Sequence, residues 1–406
     1  MANRGSSLTR RTLLATGSAA AVGLAASPLR AAPSGAPIRI GGTLALTGPL
    51  SATAQIHKIV GEIYVDQLNA GNGLLGRPVE WVLKDDQSKP DLARTLYEQL
   101  ITVDKVDLLI GPYATGAIIS AMAVAQRYNK MLVHHTMGIP SLAKYSMQFP
   151  AWSLGPDPGT TTPSTLFDML AASPKPPKRI AIVTSKFPSV YFMAQGAREV
   201  AKKRGLEEAL WLEWEFGNRD YGPIASRIKD ANPDFIFIGD IGLDGTQLLE
   251  AMTKIDYKPP MHYHLYPSPS PLAAAPEGKG ALAGCIFEEH PPFTDDPVAA
   301  KFIEAYHERA KKAGLTDTFV ETQGAVSFTA WQLIQASVEA TKSLDDKACA
   351  DWLRTHRVKT IQGELRFDGP SNYGDDLMKV KQVQNGKWVT VWPTKWAAPG
   401  AKLMVD

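Results

Sequence analysis

The stretch from Val106 to Tyr128 reads VDLLIGPYATGAIISAMAVAQRY. Its first residues form a short, largely apolar run of the kind that makes a buried strand, and the residues after Gly116 place apolar side chains at helical spacing. A strand that leads directly into a helix is the repeating unit of a parallel sheet, because the chain crosses the sheet before the next parallel strand begins. The stretch therefore predicts one βα unit of an α/β fold.

The same alternation continues on both sides of this unit. The predicted strands cover residues 38–46, 79–83, 106–110 and 131–133 in a first set, and 179–183, 235–238 and 261–265 in a second set. Residues 150–163 separate the two sets, are rich in Trp, Gly, Pro and Thr, and show no helical period. We therefore predict an α/β fold of two doubly wound parallel-sheet lobes. Residues 363–367 and 388–392 are predicted strands with no helix between them, which indicates a terminal hairpin.

Length and composition exclude several classes of protein. The chain has 406 residues, which suits two or three domains. Its 43 Lys and Arg residues nearly balance 41 Asp and Glu residues, so we expect no nucleic-acid partner. Two cysteines are too few for a disulfide framework. Cys285 and Cys349 either pair in an oxidising compartment or remain buried free thiols.

The N-terminus has the anatomy of an export signal. Residues 1–31 contain four arginines and no acid, and a weakly apolar run follows Arg10-Arg11. A positive segment, an apolar segment and a small-residue end in this order predict a signal peptide, and the arginine pair resembles the twin-arginine type. We predict that residues 1–31 are removed and that the mature protein is periplasmic.

The remaining chain shows no candidate membrane span. A long uncharged run, residues 259–276, contains six prolines and two histidines. Such a run favours loop and strand over a membrane helix, so we expect no direct insertion into the membrane.

Ligands of open α/β sheets bind at the carboxyl ends of the strands, so the loops there are the candidate site. The loop 111–116 leaves a strand and opens a helix, with Thr115 placed to cap it. Backbone N–H groups at a helix start, together with the helix dipole, suit a carboxylate. The alternative is a plain turn in which Thr115 only caps the helix.

Catalytic and metal motifs are not evident. Ala117 stands where a phosphate-binding loop needs lysine, and the chain has neither a Gly-x-Ser-x-Gly elbow nor a His-Glu-x-x-His motif. His262 and His264 would share one face of a strand, but spacing suggests no third metal ligand. We therefore predict a protein that is not an enzyme and that carries no cofactor and no metal.

Several stretches together resemble the type I family of periplasmic solute-binding proteins of ABC importers, the family that includes the leucine/isoleucine/valine-binding protein. The matching stretches are Ile40 to Pro49, Tyr64 to Gly76, Asp85-Asp86, Lys105 to Thr115, Lys178 to Val183, Asn232 to Asp234 and Gly363 to Asp368. The resemblance implies two lobes joined by a three-strand hinge, with a solute trapped as the hinge closes. It places residues 38–152 and 288–362 in lobe 1, and 153–287 and 363–406 in lobe 2. It also implies an inner-membrane ABC permease as partner, and we expect a monomer.

The resemblance also implies the ligand contacts. The family grips a ligand carboxylate at the loop that matches 111–116, with a hydroxyl where Thr115 stands, and a second loop matches 136–138. Three further family sites match Leu265, where the family has the acid that pairs with an α-ammonium, Ile241, and the loop from Phe187 to Tyr191. The predicted ligand-binding residues are Tyr113, Ala114, Thr115, Gly116, Thr136, Gly138, Phe187, Tyr191, Asp240, Ile241, His264, Leu265 and Tyr266.

The departures from the family pattern bear on the ligand. An α-ammonium in a closed cleft needs an acid, and the family's acid position is Leu265, so only Asp240 nearby would substitute. The predicted aromatic side chains suit a ring. We therefore predict a small organic acid, preferably an aromatic carboxylate. The alternatives are a branched-chain or other amino acid as solute and, more remotely, a ligand-sensing ectodomain or an exported amidase or esterase.

Overall fold

Strands and helices alternate from Ile38 onward in a computed structural model that describes residues 1–2, 32–268, 271–315 and 318–405. The predicted export signal falls almost entirely on residues 3–31 and lies outside the described residues. Short 3-10 turns occur at Pro140–Leu142, Pro271–Ala273, Pro276–Gly278, Phe293–Asp295, Pro370–Asn372 and Thr394–Trp396. Both cysteines are buried free thiols, so the open question of their pairing is settled in favour of the thiols.

The first part of the chain forms a parallel sheet of five strands. Its elements in chain order are β1 (Ile38–Leu44), α1 (Ser51–Ala70), β2 (Val79–Asp85), α2 (Pro90–Thr102), β3 (Leu108–Ile110), α3 (Thr115–Arg127), β4 (Leu132–His134) and β5 (Gln148–Pro150). The strand order is β2-β1-β3-β4-β5, and all neighbours are parallel. The chain first adds β2 on one side of β1 and then adds β3, β4 and β5 on the other side. This reversal is the doubly wound arrangement that the alternation predicts.

A second sheet begins after a crossing to the other lobe. Its elements are α4 (Pro158–Ala171), β6 (Arg179–Ser185), α5 (Pro188–Lys203), β7 (Glu207–Trp214), α6 (Gly222–Ala231), β8 (Phe235–Gly242), α7 (Asp244–Lys254), β9 (Met261–Pro267) and β10 (Leu282–Cys285). These five strands are parallel in the order β10-β9-β8-β6-β7. Their central members are almost wholly apolar, as in Phe235 to Ile238, because helices cover both faces.

The chain then returns to the first lobe and crosses once more. α8 (Pro297–Lys312), α9 (Thr322–Thr341) and α10 (Asp346–Thr355) follow β10, and α8 and α9 both pack on α1. A short hairpin of β11 (Val358–Thr360) and β12 (Gly363–Leu365) precedes β13 (Lys379–Gln384) and β14 (Lys387–Trp392), which extend the second sheet beyond β10 with antiparallel pairing. The prediction of two α/β lobes is confirmed.

The predicted terminal hairpin pairs the wrong strands. The strand at 388–392 pairs with β13, whereas the strand that begins at Gly363 pairs with β11. The turn between β13 and β14 is Asn385-Gly386, and both residues have positive φ, 51° and 74°. An Asn-Gly pair with this geometry makes a tight hairpin turn, so the signal for the correct pairing was present in the sequence.

The crossing segments contact one another. Leu377 N–H donates to the Ser153 carbonyl at 2.9 Å, and the Gln362 side-chain amide donates to the Ala151 carbonyl at 2.9 Å. The first crossing, after β5, is therefore joined by hydrogen bonds to the turn between β11 and β12 and to the segment that follows β12. The residue boundaries of the lobes stay a prediction.

Candidate functional site

The loops at the carboxyl ends of the two sheets meet in one place. Thr53, in the first turns of α1, donates its hydroxyl to the Ser268 carbonyl just after β9. Trp152 in the first crossing and Tyr266 in β9 lie with ring centroids 4.9 Å apart. We call this region the interlobe site and define it by Thr53, His57, Tyr113, His135, Trp152, Tyr266, Ser268 and Gln323. A cavity of about 20 Å³ remains here, enough for about one water molecule.

Two loops of the first lobe are tied together at this site. The Gly138 N–H donates to Thr115 Oγ1 at 3.2 Å, and the Ala114 N–H donates to Thr136 Oγ1 at 3.3 Å. Thr115 is the first residue of α3, and its hydroxyl accepts from the neighbouring loop, so it does not cap its own helix as the sequence suggested. The first N–H groups of α3 therefore keep no partner within the helix.

Residues of the second lobe pack against this pair of loops at Gly138. A Cβ atom at Gly138 would lie 2.9 Å from Ser189 Cβ and 3.4 Å from Tyr266 Oη. The predicted contacts Tyr113, Ala114, Thr115, Thr136 and Gly138 thus lie together, and Tyr266 faces them from the other lobe. Gly116, the next residue of α3, lies against Pro90 at the start of α2. Leu265 lines the cavity, and Ile241 pairs in register with Tyr266.

Two predicted residues of the second lobe form a pair inside that lobe. His264 Nδ1 donates to Asp240 Oδ2 at 2.7 Å, and the Leu265 N–H donates to Asp240 Oδ1 at 2.7 Å. Both side chains are completely buried. Both carboxylate oxygens of Asp240 therefore already accept a hydrogen bond from within the second lobe, and its role as a substitute for the family acid stays a prediction.

Phe187 and Tyr191 also turn away from the interlobe site. The Phe187 ring packs on Phe216 with centroids 4.8 Å apart, and Tyr191 Oη donates to Glu213 at 3.0 Å. Both contacts lie along or just beyond β7, the edge strand of the second sheet. β7 and the residues after it supply these partners, which the loop sequence does not reveal, and the ligand contacts of Phe187 and Tyr191 stay predictions.

A pair of histidines at the interlobe site was not assigned from the sequence. The His57 ring on α1 lies 4.6 Å from the His135 ring, which follows β4, and 5.0 Å from Tyr113. Burial lowers the pKa of His57 to about 3, an effect that Gln323 partly offsets. Burial, and then the neighbouring His57, holds the pKa of His135 well below its ordinary value. Both imidazoles are therefore neutral at ordinary pH.

Buried polar atoms without partners concentrate here. Among the described residues, the buried atoms of the site with no hydrogen-bond partner are both ring nitrogens of His57 and of His135, Trp152 Nε1, Tyr266 Oη, Ser268 Oγ and Gln323 Oε1. Buried polar groups are nearly always hydrogen-bonded, and each one left unpaired costs about 1–3 kcal/mol. Their concentration in one place makes the interlobe site the candidate binding site of the described residues.

Two charged side chains border the cavity. Glu321, which precedes α9, and Lys381 of β13 both line it. Lys381 Nζ forms a buried ion pair with Glu288 at 2.6 Å. Glu321 brings a carboxylate to the cavity from a position that the family pattern does not suggest, and sequence spacing offered no signal for it.

A larger cavity than the one at the interlobe site lies at the amino-end edge of the second sheet. It measures about 460 Å³ and is lined by several prolines, four lysines and residues at the amino ends of β8 and β9. Ligands of parallel sheets bind at carboxyl ends, so this cavity is a weaker candidate than the interlobe site despite its size. In the described part of the chain, no three His, Cys, Asp or Glu residues group as metal ligands, and no helix is long and apolar enough to cross a membrane.

Comparison with known proteins gives consistent matches. A sequence profile described as periplasmic binding protein matches residues 37–387. The Leu/Ile/Val-binding protein of Citrobacter freundii is 22% identical over 327 residues, which cover 80% of this chain and 84% of that protein. The profile match confirms the family resemblance predicted from the sequence.

Two solved structures share the fold. A solute-binding protein of an ABC transporter from R. palustris, in complex with benzoate, superposes with a TM-score of 0.75 at 18% identity and covers 91% of this chain and 98% of its own. A leucine-binding protein from Thermotoga maritima gives a TM-score of 0.71 at 19% identity, covering 87% and 97%. Similar two-lobed folds therefore hold solutes of different chemistry.

Proposed function

The chain belongs to the periplasmic binding protein family, and we propose that it captures a small organic acid, preferably an aromatic carboxylate, between its two lobes for an ABC importer. The observation that supports this proposal most is the set of unpartnered buried polar atoms at the interlobe site. A solute held there would touch both lobes at once. The protein would then work in the periplasm as a monomer that delivers its solute to an inner-membrane permease.

The start of α3 is the proposed carboxylate site. Its first N–H groups have no partner within the helix, and the helix dipole favours an anion. Thr115 Oγ1 accepts a hydrogen bond from the Gly138 N–H. A hydroxyl can accept and donate at once, so the Thr115 O–H can donate to the ligand. A carboxylate only accepts hydrogen bonds, so these donors suit it.

Aromatic side chains surround the rest of the site. Trp152 and Tyr266 pack against each other, and Tyr113 packs against His57. Flat rings favour offset or edge contacts with another ring. Trp152, which lies in the first crossing, adds a ring to the site and was not among the ligand-binding residues predicted from the sequence. This lining supports a ring-bearing acid over an aliphatic one.

We further propose that solute binding closes the hinge. A ligand that touches both lobes shifts the open–closed equilibrium in proportion to its different affinity for the two forms. Small-angle scattering with saturating benzoate should show a smaller radius of gyration than the free protein. An unchanged radius on saturation would contradict closure.

A panel of solutes tests the ligand class. Thermal unfolding of the purified protein should shift upward with benzoate and its derivatives, because a ligand that binds only the folded state raises stability as its concentration exceeds Kd. Aliphatic acids and leucine should shift it less. A shift with leucine and none with benzoate would contradict the aromatic preference while leaving the binding role intact. Steady turnover of any panel compound would contradict the role itself.

One observation favours an amino acid as the alternative solute. Glu321 and Leu265 line the same cavity, so a carboxylate is present near the place where the family pattern lacks one. An α-ammonium would find an acid there. Under this alternative, Glu321→Gln should abolish amino-acid binding and leave benzoate binding nearly unchanged, and titration calorimetry with leucine and benzoate separates the two outcomes.

We also propose that residues 1–31 are a twin-arginine export signal. Conversion of Arg10 and Arg11 to lysine should leave the chain in the cytoplasm, because that pathway recognises the arginine pair. Fractionation of cells followed by immunoblotting measures this. Normal export of the double variant would contradict the assignment.

A further inference from the structure

His57 and His135 are buried histidines whose ring nitrogens all lack hydrogen-bond partners among the described residues. Their exposed fractions are 0% and 1%, and the two rings lie 4.6 Å apart. Each polar atom that is buried without a partner costs free energy. A pair of rings with four such nitrogens is therefore an expensive feature unless something that binds the folded protein supplies the partners.

Other buried histidines in the described part of the chain differ in this respect. His134 donates to a glutamine side chain at 2.6 Å, His262 to a backbone carbonyl at 2.9 Å, and His264 to a carboxylate at 2.7 Å. Each of these rings is oriented by a partner inside its own lobe. His57 and His135 have no such partner, although they lie beside the loops that join the two lobes.

The nearest polar groups would satisfy only part of the pair. The Gln323 side chain lies next to His57, and the Pro112 carbonyl lies next to His135. If each made one hydrogen bond after a small movement, one nitrogen on each ring would still lack a partner. Since a carbonyl can only accept, His135 would use its N–H for Pro112 and would present its other nitrogen as an acceptor.

The chemistry of a neutral imidazole defines what is missing. Tyr113 and Gln323, which lie beside His57, carry no charge. Each neutral ring has one donor and one acceptor. A carboxylate only accepts, and a methyl group does neither, so neither satisfies both kinds of nitrogen. A hydroxyl group donates and accepts at once and fits both.

Building on the proposed aromatic-acid function, we infer that His57 and His135 bind a hydroxyl group of the solute, so that the preferred ligand is a hydroxylated aromatic acid. The carboxylate would lie at the start of α3 and the ring hydroxyl at the histidine pair. A site built to hydrogen-bond a hydroxyl rejects analogues that lack it, because its buried polar groups then stay unpaired.

A size-matched ligand series tests this inference on the unmodified protein. Titration calorimetry would compare 4-hydroxybenzoate and 3,4-dihydroxybenzoate with 4-methylbenzoate, in which a methyl group replaces the hydroxyl at similar size, and with benzoate. We expect at least about tenfold tighter binding of one of the hydroxylated acids than of 4-methylbenzoate. Equal affinities across the series would overturn the inference and leave the proposed aromatic-acid function standing. If none of the four acids binds, both fall together.

Variants locate the effect. His57→Phe and His135→Phe keep a flat ring and remove the nitrogens, so the affinity ratio of the hydroxylated to the methylated acid should collapse to within about threefold of unity. His356→Phe is the matched control, because His356 is exposed at the end of α10 and stacks on Trp352. Its ratio should equal that of the unmodified protein. A ratio that persists in both site variants would overturn the inference, as would an equal collapse in the control. Circular dichroism establishes folding, and the ligand series above decides the matter if a variant does not fold.

Discussion

Each lobe contains a pair of neighbouring buried histidines, and the two pairs differ in their partners. In the second lobe, His262 and His264 lie 5.2 Å apart, and each uses Nδ1 for a hydrogen bond within the lobe. In the first lobe, His57 and His135 lie 4.6 Å apart, and no nitrogen of either ring is bonded. Burial alone therefore does not separate a structural histidine from a binding one. The partners do.

The largest expected effect comes from removing the contact between His264 and Asp240 in the second lobe. His264→Phe leaves the Asp240 carboxylate buried without its imidazole partner, which should lower the free energy of unfolding by about 3–5 kcal/mol. His57→Phe removes polar atoms that have no partner, so its free energy of unfolding should fall by no more than about 1 kcal/mol. Urea unfolding of both variants measures the difference. A similar loss in both would mean that the first pair is also structural.

The second prediction concerns acid sensitivity. His57 has a folded-state pKa of about 3 against an ordinary value of 6.5, so the unfolded chain binds the extra proton as pH falls below 6.5. Its contribution therefore destabilises the fold as pH falls from about 6.5 toward 3, and His57→Phe should reduce the loss between pH 7.5 and pH 5 by about 2 kcal/mol.

Carboxyl groups whose pKa is raised in the folded state have the opposite effect on stability, but they do not alter this comparison. Burial raises the pKa of Asp86 and of Asp244 to about 6, and such groups favour the folded state as pH falls. They are present in both proteins, so they cancel when the variant is compared with the unmodified chain. Urea unfolding at a series of pH values gives the two slopes. Parallel slopes would contradict the prediction, because they would show that His57 keeps its ordinary pKa in the folded state.

The third prediction concerns the carboxylate end of the site. Thr115→Ala removes a hydroxyl that accepts from Gly138 and is placed to donate to the ligand, so affinity for benzoate should fall about tenfold, equivalent to about 1.4 kcal/mol. Thr355→Ala on the exposed end of α10 is the control and should bind normally. Unchanged affinity in Thr115→Ala would move the carboxylate away from the start of α3.

The smallest effect distinguishes two tyrosines that the sequence treated alike. Tyr266 Oη is buried at the interlobe site without a partner, whereas Tyr191 Oη donates to Glu213 on β7. Tyr266→Phe should therefore weaken binding of an aromatic acid about threefold to tenfold, and Tyr191→Phe should change affinity and stability by less than about 0.5 kcal/mol. Calorimetry on both variants checks this. Equal losses of affinity in the two variants would contradict this distinction and would indicate that Tyr191 also contacts the ligand.

Much of the architecture follows from pattern alone. Strand–helix alternation predicts both sheets, and the first-lobe loops at Tyr113 to Thr115 and at Thr136 come together because carboxyl ends of neighbouring parallel strands share an edge. The predicted hairpin pairing was wrong because the Asn385-Gly386 turn pairs the last strand, β14, with β13.

The side-chain directions of the site were less predictable. His57 lies among apolar residues of α1 and looks like part of the core face, and its neighbour His135 is far away in sequence. Phe187 and Tyr191 were assigned to the site by loop position, but a loop position does not reveal that β7 offers competing partners. Long-range contacts decide which way such side chains turn, and one sequence carries no direct record of them.

The nitrogen resonances of the histidine rings test most directly whether the unpartnered pair binds the solute. Long-range proton–nitrogen spectra report the tautomer and hydrogen bonding of each imidazole, with single-site variants supplying the assignments. On addition of 4-hydroxybenzoate, the ring nitrogens of His57 and His135 should shift, while those of His262 and His264 should stay in place. Saturated binding that leaves His57 and His135 unshifted, or that shifts only the pair in the second lobe, would contradict the assignment.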